Sequence, residues 1–287
     1  MDLDRRTERG HHMYRRVLLL LDLEGVNRVV GEPYLGLGKG SEQWEIAVEQ
    51  ALLEINAAAE ALFEAGVEKV GLWDNHGGGG NIDASRLDPR IIFHMPDKDR
   101  PRLYFARGEY DCLCFFGYHA MEGTLGGVLA HTMNSKVNQY YKLNGGYIGE
   151  VDMDAFIAAE FGIPSVFFAA GNIACGQAKR ALPHVVTVTT KYELSRNEAE
   201  FRDNDGLLTD IRRQIVVAVR MEAEAGKLTF PASFEKSFKR MEDAAKYLSR
   251  LRERGISAEH PADDILGRDA HTVVSTVKDM FQFITCI

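Results

Sequence analysis

Two acids stand two residues apart at the end of an apolar run: Asp22 and Glu24 follow Val17-Leu18-Leu19-Leu20-Leu21. While the chain stays extended, side chains two apart project from the same face of a strand. Two carboxylates side by side repel unless a cation neutralises them or one keeps its proton. Alone, such a pair also fits a solvated strand end. The pattern repeats, however. Gly71-Leu72-Trp73 runs into Asp74-Asn75-His76, and Phe116-Gly117-Tyr118 runs into His119. Three apolar strands thus each deliver Asp, Glu or His at or just past the carboxyl end, the edge where open α/β sheets place ligand sites. Any one of these histidines would fit a satisfied structural residue; three strand ends together point to a site. His131, in Leu129-Ala130-His131-Thr132-Met133, and Glu150, at the start of a helix, complete the candidate cluster. Imidazole and carboxylate ligands suit zinc or another first-row divalent ion. A carboxylate bridging two ions ~3.5–4 Å apart would relieve the Asp22–Glu24 repulsion and activate a water, the chemistry of a metal hydrolase.

The elements that must carry these residues show in the periodicity. Val17–Leu21 is a strand buried on both faces. Ser41 opens a long helix, with Glu42 and Glu45 favouring its N-terminal dipole. Val48, Leu52, Ile55, Ala59 and Leu62 form its apolar stripe, and Gly66 stops it. Val67–Trp73 and Asp111–Tyr118 are further strands. The helix after Gly149 carries Met153, Phe156, Ile157 and Phe161 and ends at Gly162, before a strand over Pro164–Ala170. This alternation predicts an α/β fold, a largely parallel sheet covered by helices. After about residue 190 the chain reads as more helical, with stripes at Leu208, Ile211, Ile215 and Ala218 and at Ala244, Leu248 and Leu251. Leu228–Phe238 reads as a strand between them, and Val273, Val277, Phe281 and Ile284 as helix or strand. The expected organisation is a flexible leader over 1–13, an α/β metal-binding catalytic domain over 14–190, and a smaller C-terminal helical or α+β portion over 191–287.

Composition removes several classes. The chain has 287 residues, with 34 basic against 42 acidic side chains and a net charge of −8. Without a basic block it has no electrostatic footprint for nucleic acid or an anionic membrane. No apolar run approaches the ~20 residues that span a bilayer. The N-terminal stretch lacks the apolar core of a signal peptide, so a cytoplasmic location is expected, with Cys112, Cys114, Cys175 and Cys286 as reduced core thiols. Gly36-Leu37-Gly38-Lys39-Gly40-Ser41 fails the phosphate-loop pattern, because Pro33 takes its first glycine position and Gly40 follows the lysine. It reads instead as a loop over the site mouth. Gly77–Gly80 reads as a turn that lets His76 approach a metal. His94, His184, His260 and His271 read as structural or exposed. Lys236, Lys239, Arg240, Lys246, Arg250, Arg252 and Arg254 read as the solvated face of a helix.

In order along the chain, Asp22-Leu23-Glu24-Gly25, Asp74-Asn75-His76, Gly117-Tyr118-His119-Ala120, His131-Thr132-Met133 and Gly149-Glu150 strongly resemble the motifs of the DppA-type zinc D-aminopeptidases, the dipeptide-transport-operon metallopeptidases. The resemblance runs from about residue 15 to about 200, and more loosely to the C-terminus. It implies that Asp22, Glu24, His76, His119 and Glu150 hold zinc, two ions per subunit, with manganese or another divalent ion as the alternative. His131 takes the catalytic role, outside the metal shell. The implied activity is release of N-terminal D-amino acids from short peptides or amides by a metal-activated water. The implied assembly is a large ring-shaped homo-oligomer, a decamer. Gly171-Asn172-Ile173 departs from the family's Gly-Asp-Asp turn, which bears on recognition of a substrate amino group. Two alternatives follow: a family amidohydrolase acting on a non-peptide amide or other small metabolite, and a non-catalytic, metal-stabilised assembly or binding protein.

Overall fold

Val17 to Leu21 are apolar on both sides because both sides of their sheet are covered. The computed structural model describes residues 12–33, 36–96, 100–263, 265 and 267–287. In chain order the elements are β1 (Arg16–Leu21), α1 (Glu42–Glu64), β2 (Lys69–Asp74), β3 (Ile92–His94), β4 (Cys112–Phe116), β5 (Asn138–Leu143), β6 (Gly146–Tyr147) and α2 (Glu150–Glu160). Then come β7 (Ser165–Ala170), α3 (Asn172–Ala181), β8 (Val186–Thr189), β9 (Lys191–Ser195), β10 (Glu198–Phe201) and α4 (Asn204–Val219). The chain finishes with β11 (Ala232–Phe238), α5 (Met241–Glu253), β12 (Ser257–Glu259), β13 (Ala262–Asp263), β14 (Gly267–Arg268), β15 (Thr272–Val277) and α6 (Met280–Cys286). Among the described residues, β3-β2-β1-β4-β7-β8 form a six-stranded sheet, parallel at every pairing. A five-stranded antiparallel sheet runs β12-β15-β11-β5-β6.

The leucine run splits between two cores. Val17, Leu19 and Leu21 pack with Leu52 and Ile55 of α1 and Ile211 and Ile215 of α4. Leu18 and Leu20 face the opposite layer, where Ile157 of α2, Ala174 of α3 and Phe234 of the antiparallel sheet lie. Each buried leucine contributes on the order of 2 kcal/mol. Apolar packing therefore fixes β1, and with it the place where Asp22 emerges. Ser41 caps α1 as expected, its Oγ accepting from the Trp44 amide at 3.2 Å.

The C-terminal part differs from the sequence reading. Residues 191–201 form the hairpin β9–β10, and helix begins only at α4. The last apolar series is both forms in turn: β15, then α6, whose start is capped by Asp279 accepting from the Gln282 amide. Lys236 lies on β11 and is buried, not on a solvated helix. Packing crosses the division placed near residue 190, since β5 pairs with β11 while α4 lies against α1. Residues 1–11 of the expected leader lie outside the described residues. All four cysteines are buried and free.

Two backbone approaches at the ends of β1 and β4 are too close for side chains. A Cβ on Gly25 would lie 1.9 Å from the Tyr118 carbonyl oxygen, and one on Gly117, at φ +69°, would lie 1.9 Å from that of Asp22. The Gly25 amide donates to the Gly117 carbonyl at 2.6 Å, so the loops that follow β1 and β4 touch through their main chains. Helix α1 holds the same region from the side. Its fully buried Glu54 accepts from the Asn27 amide at 2.9 Å and from Gln50 at 3.1 Å, while Oε2 has no hydrogen-bond partner. Burial pushes this carboxyl up to about 7.

Gly25→Ala and Gly117→Ala are each expected to lose about 1–3 kcal/mol to overpacking. Gly77→Ala, at a position with open space around it, should lose only the ~1–2 kcal/mol of its positive φ. Urea unfolding measures the order, and equal losses at all three positions would contradict it. Because the folded state holds a proton on Glu54 above the ordinary carboxyl range, the native chain should lose stability as pH rises from about 4.5 to about 7. Glu54→Gln should therefore compare more favourably with the native chain at pH 8 than at pH 5. A pH-independent difference would contradict that reading.

Candidate metal centre

The six residues singled out in the sequence meet at the carboxyl edge of the parallel sheet. Asp22 and Glu24 leave β1, His76 follows β2, His119 follows β4, His131 lies in the next loop, and Glu150 is the first residue of α2. Asp22 stays in register through its amide, which donates to the Phe116 carbonyl at 2.8 Å. Asp74 does not join the cluster. Fully buried, it accepts from the Asn81 amide at 2.6 Å and the Asn81 side chain at 2.9 Å, closing the Gly77–Gly80 turn. Asn81 in turn donates to the His76 carbonyl at 2.8 Å. All four glycines have positive φ, a path that only glycine follows without strain. Lys39 reaches this turn and donates to the Gly80 carbonyl at 2.6 Å, joining the two glycine-rich loops.

His76 Nδ1 lies 2.9 Å from Asp22 Oδ1 and 3.1 Å from Glu24 Oε2. His119 Nε2 lies 3.5 Å from Asp22 Oδ2 and 3.4 Å from Glu150 Oε1. The His131 ring stacks on His119 with centroids 3.9 Å apart, and its Nε2 is 3.8 Å from Glu150 Oε1. Potential ligand atoms of Asp22, Glu24 and His119 lie within 4.8 Å of one another, as do those of His119, His131 and Glu150. His119 belongs to both groups. The second group also brings His131 within ligand reach.

Both stacked imidazoles have a fixed tautomer. His119 Nδ1 is 3.0 Å from the Ala120 carbonyl and His131 Nδ1 is 2.9 Å from the Leu129 carbonyl. A carbonyl only accepts, so each Nδ1 carries a proton, and in its neutral form each ring would turn an Nε2 lone pair into the cluster. His119 Nε2 is buried with no hydrogen-bond partner. A buried polar atom without a partner is costly. Here it faces two carboxylates, which fits a cation between them. The donor set of imidazoles and carboxylates suits zinc. The backbone around His131 is strained to make this arrangement: Leu129 and Met133 have φ of +50° and +64°, unusual for residues with side chains. The Met133 amide then donates to Glu150 Oε1 at 2.6 Å.

Electrostatics favour positive charge among these groups. Burial, and then Glu24, push the Asp22 carboxyl up to about 7. Burial would also raise Glu24, but the His76 charge beside it holds it well below the usual carboxylate range. Burial opposes charge on the imidazoles and is overridden, Glu24 and Asp22 raising His76 to about 11 and Glu150 raising His119 to about 10. Glu150, buried against His119, is held down to about 2. His131 is shifted downward by burial and by the His119 charge. Acids and imidazoles here shift one another in opposite directions, and a cation bound among them would take the place of protons on the imidazoles.

Several supporting residues escaped the sequence reading. Lys191, fully buried at the start of β9, donates to the carbonyls of Glu24 at 2.6 Å, Val26 at 3.0 Å and Val29 at 2.5 Å. Thr190 donates to the Gly25 carbonyl at 2.6 Å. Their signal was available: they follow strand β8 as the clustered residues follow β1, β2 and β4. Beneath the site, Arg102 pairs with the buried Asp154, which accepts from the Tyr118 hydroxyl at 2.7 Å. Glu193 accepts from the amides of Val128 and Ile173, both at 2.8 Å, tying the start of α3 to the loop that carries His131. The Asn172 side chain accepts from the Glu193 amide at 2.7 Å and so is structural. Outside the cluster, His94 pairs with the Tyr110 hydroxyl at 2.6 Å, and His260 and His271 contact the carbonyls of Thr272 and Phe238.

A model of the D-aminopeptidase family of peptidases matches residues 15–253 of this chain. The D-aminopeptidase of Bacillus subtilis (strain 168) is 25% identical over 184 residues, 63% of this chain. The chain spans 65% of that relative, just under two thirds of its length. A solved structure, the zinc-dependent D-aminopeptidase DppA from Bacillus subtilis, described as a self-compartmentalizing protease, shares the fold with a TM-score of 0.81 over 94% of each chain. At 19% identity, that likeness is one of fold. The matched segment contains all six clustered residues, and the chain belongs to the D-aminopeptidase family.

Proposed function

We propose that this chain is a zinc-dependent aminopeptidase that releases N-terminal D-amino acids from short peptides or amides, with Asp22, Glu24, His76, His119 and Glu150 holding two ions. The observation that carries the reading is the buried, unpartnered His119 Nε2 facing the carboxylates of Asp22 and Glu150. Zinc would supply Lewis acidity toward the scissile carbonyl and a nucleophile at neutral pH. His131 holds a basic Nε2 toward the cluster while its Nδ1–H is engaged by Leu129. Its downward-shifted pKa keeps that nitrogen free to take the proton released on attack and to return it to the leaving amine. Stacking on His119 and the strained Leu129–Met133 backbone fix the ring plane, which limits the reorganisation needed during proton transfer.

A non-peptide amide is the second reading. Asn172 and Ile173 stand where the family pattern has acids, and the Asn172 side chain is already committed to the Glu193 amide. The remaining parts of the proposal are assembly as a ring-shaped homodecamer and a cytoplasmic location. The self-compartmentalizing description of the solved relative supports the first. Parallel hydrolysis of D- and L-aminoacyl amides and non-peptide amides separates the substrate readings.

Dialysis against a chelator should abolish hydrolysis of D-aminoacyl amides, and zinc or manganese should restore it. Activity that survives full metal removal would contradict the mechanism. His131→Ala should retain the metal content of the native protein and lose ~10²–10⁴-fold in kcat, the range for a general acid–base. Metal analysis beside the kinetics decides the role, since loss of an ion in this variant would make His131 a ligand.

A further inference from the structure

One hydroxyl joins three of the elements that carry the clustered acids and imidazoles. Asn75 precedes His76, Tyr118 precedes His119, and Asp154 lies one turn after Glu150 on α2. Residues four apart on a helix share a face. The Tyr118 hydroxyl accepts from the Asn75 side chain at 3.1 Å and donates to Asp154 Oδ2 at 2.7 Å. Asp154 also accepts from Arg102, at Oδ1 from Nε and at Oδ2 from Nη2, the latter at 2.8 Å. Tyr118 and Asp154 are wholly buried. The Arg102 guanidinium lies 4.8 Å from the centre of the Trp73 ring, so it sits against β2 as well as α2.

Stability alone is a poor account of this arrangement. Taking an arginine and an aspartate out of water costs about as much as their attraction returns, and apolar replacements often do as well. What a buried pair with all its hydrogen bonds made does supply is one fixed geometry. Both Asp154 oxygens have partners, and the Tyr118 hydroxyl both donates and accepts. Tyr118 also meets the Phe115 ring edge-on, with centroids 4.9 Å apart, which holds the phenol in place. Asp154 belongs to neither group of potential metal ligands, so its charge serves Arg102 and Tyr118. The Gly25–Gly117 hydrogen bond ties the β1 loop to the β4 loop; the phenol ties β4 to β2 and to α2.

We propose that Tyr118 is a positioning residue for the metal centre. Its hydroxyl sets the separation of His76, His119 and Glu150, while Asp154 and Arg102 hold the phenol in register. The inference rests on the metal-centre reading and gives Tyr118 no contact with metal or substrate. Tyr118→Phe removes one oxygen and leaves the ring. It unties β2 from β4 and β4 from α2 at once, so three proposed ligands lose a common reference. Asn75→Ala unties β2 alone, from the half-buried end, and leaves the Arg102–Asp154 pair intact.

Zinc affinity, measured on the whole metal-free chain by competition with a chromophoric chelator, tests this without turnover. Tyr118→Phe should weaken binding about 10–100-fold, the range for groups that orient metal ligands. Asn75→Ala should weaken it by a smaller factor, and the two losses should not add, because both act through one hydroxyl. The absorption bands of the cobalt-loaded protein should shift in Tyr118→Phe as the ligand geometry changes. Urea midpoints of the metal-free variants separate a general loss of stability from positioning. If Tyr118→Phe binds zinc as tightly as the native chain, with unchanged cobalt bands, the inference is overturned whatever its urea midpoint. Strictly additive losses in the double variant overturn it too. Should Tyr118→Phe fail to fold, Asn75→Ala decides, and unchanged zinc affinity there overturns it. A native chain that takes up no zinc would sink the metal-centre reading itself, and this inference with it.

Discussion

Three crowded carboxylates, two of them buried, that cannot all remain charged on their own shape the site more than any other feature. Asp22, Glu24 and Glu150 lie within reach of the same imidazole edge at the end of the parallel sheet. Their mutual repulsion, in a place where water does not screen it, is costly unless positive charge sits among them. The same crowding raises His76 through Glu24 and Asp22, raises His119 through Glu150, and, with burial, raises Asp22. The arrangement is poised for exchange: divalent ions bring more charge than the protons they displace, and imidazole nitrogens become ligands once deprotonated.

The rest of the architecture opposes the tendency of such a site to fly apart. Apolar strands packed on both faces anchor Asp22, His76 and His119 from below. Gly25 and Gly117 allow the β1 and β4 loops to join through main-chain hydrogen bonds. Lys191, donating to three carbonyls in one loop, acts as a buried clamp behind Glu24 without competing for its carboxylate. Asp74 and Asn81 do the same for the glycine turn at His76. Each clamp pairs a buried charged or amide group with backbone, which rigidifies because every strand of the network has a partner.

What was legible in the sequence follows from this division. Polar residues on successive strand ends show as apolar runs that stop in Asp, Glu or His, so the six residues that the fold brings together were singled out in the sequence. The parallel sheet was readable because burial on both faces leaves unbroken apolar runs. The Lys191 clamp was passed over although it follows β8, since a lysine gives no sign that it will be buried and the carbonyls it holds lie more than 160 residues away. The hairpin over 191–201 was missed because its alternating charged residues resemble a solvated helix as much as an edge ribbon. Lys236 was misplaced for a related reason: a lysine in a basic stretch reads as exposed, and only its register opposite Tyr141 shows that it is buried.

The central claim is that the acid–imidazole cluster is a metal centre. Metal analysis of the purified chain, before and after Asp22→Asn combined with His119→Ala, tests it most directly. About two equivalents of zinc per native chain and a marked loss in the double variant, with circular dichroism unchanged, is the predicted result. A native chain that binds no divalent ion after zinc loading, or a variant that retains the full complement, would contradict the account.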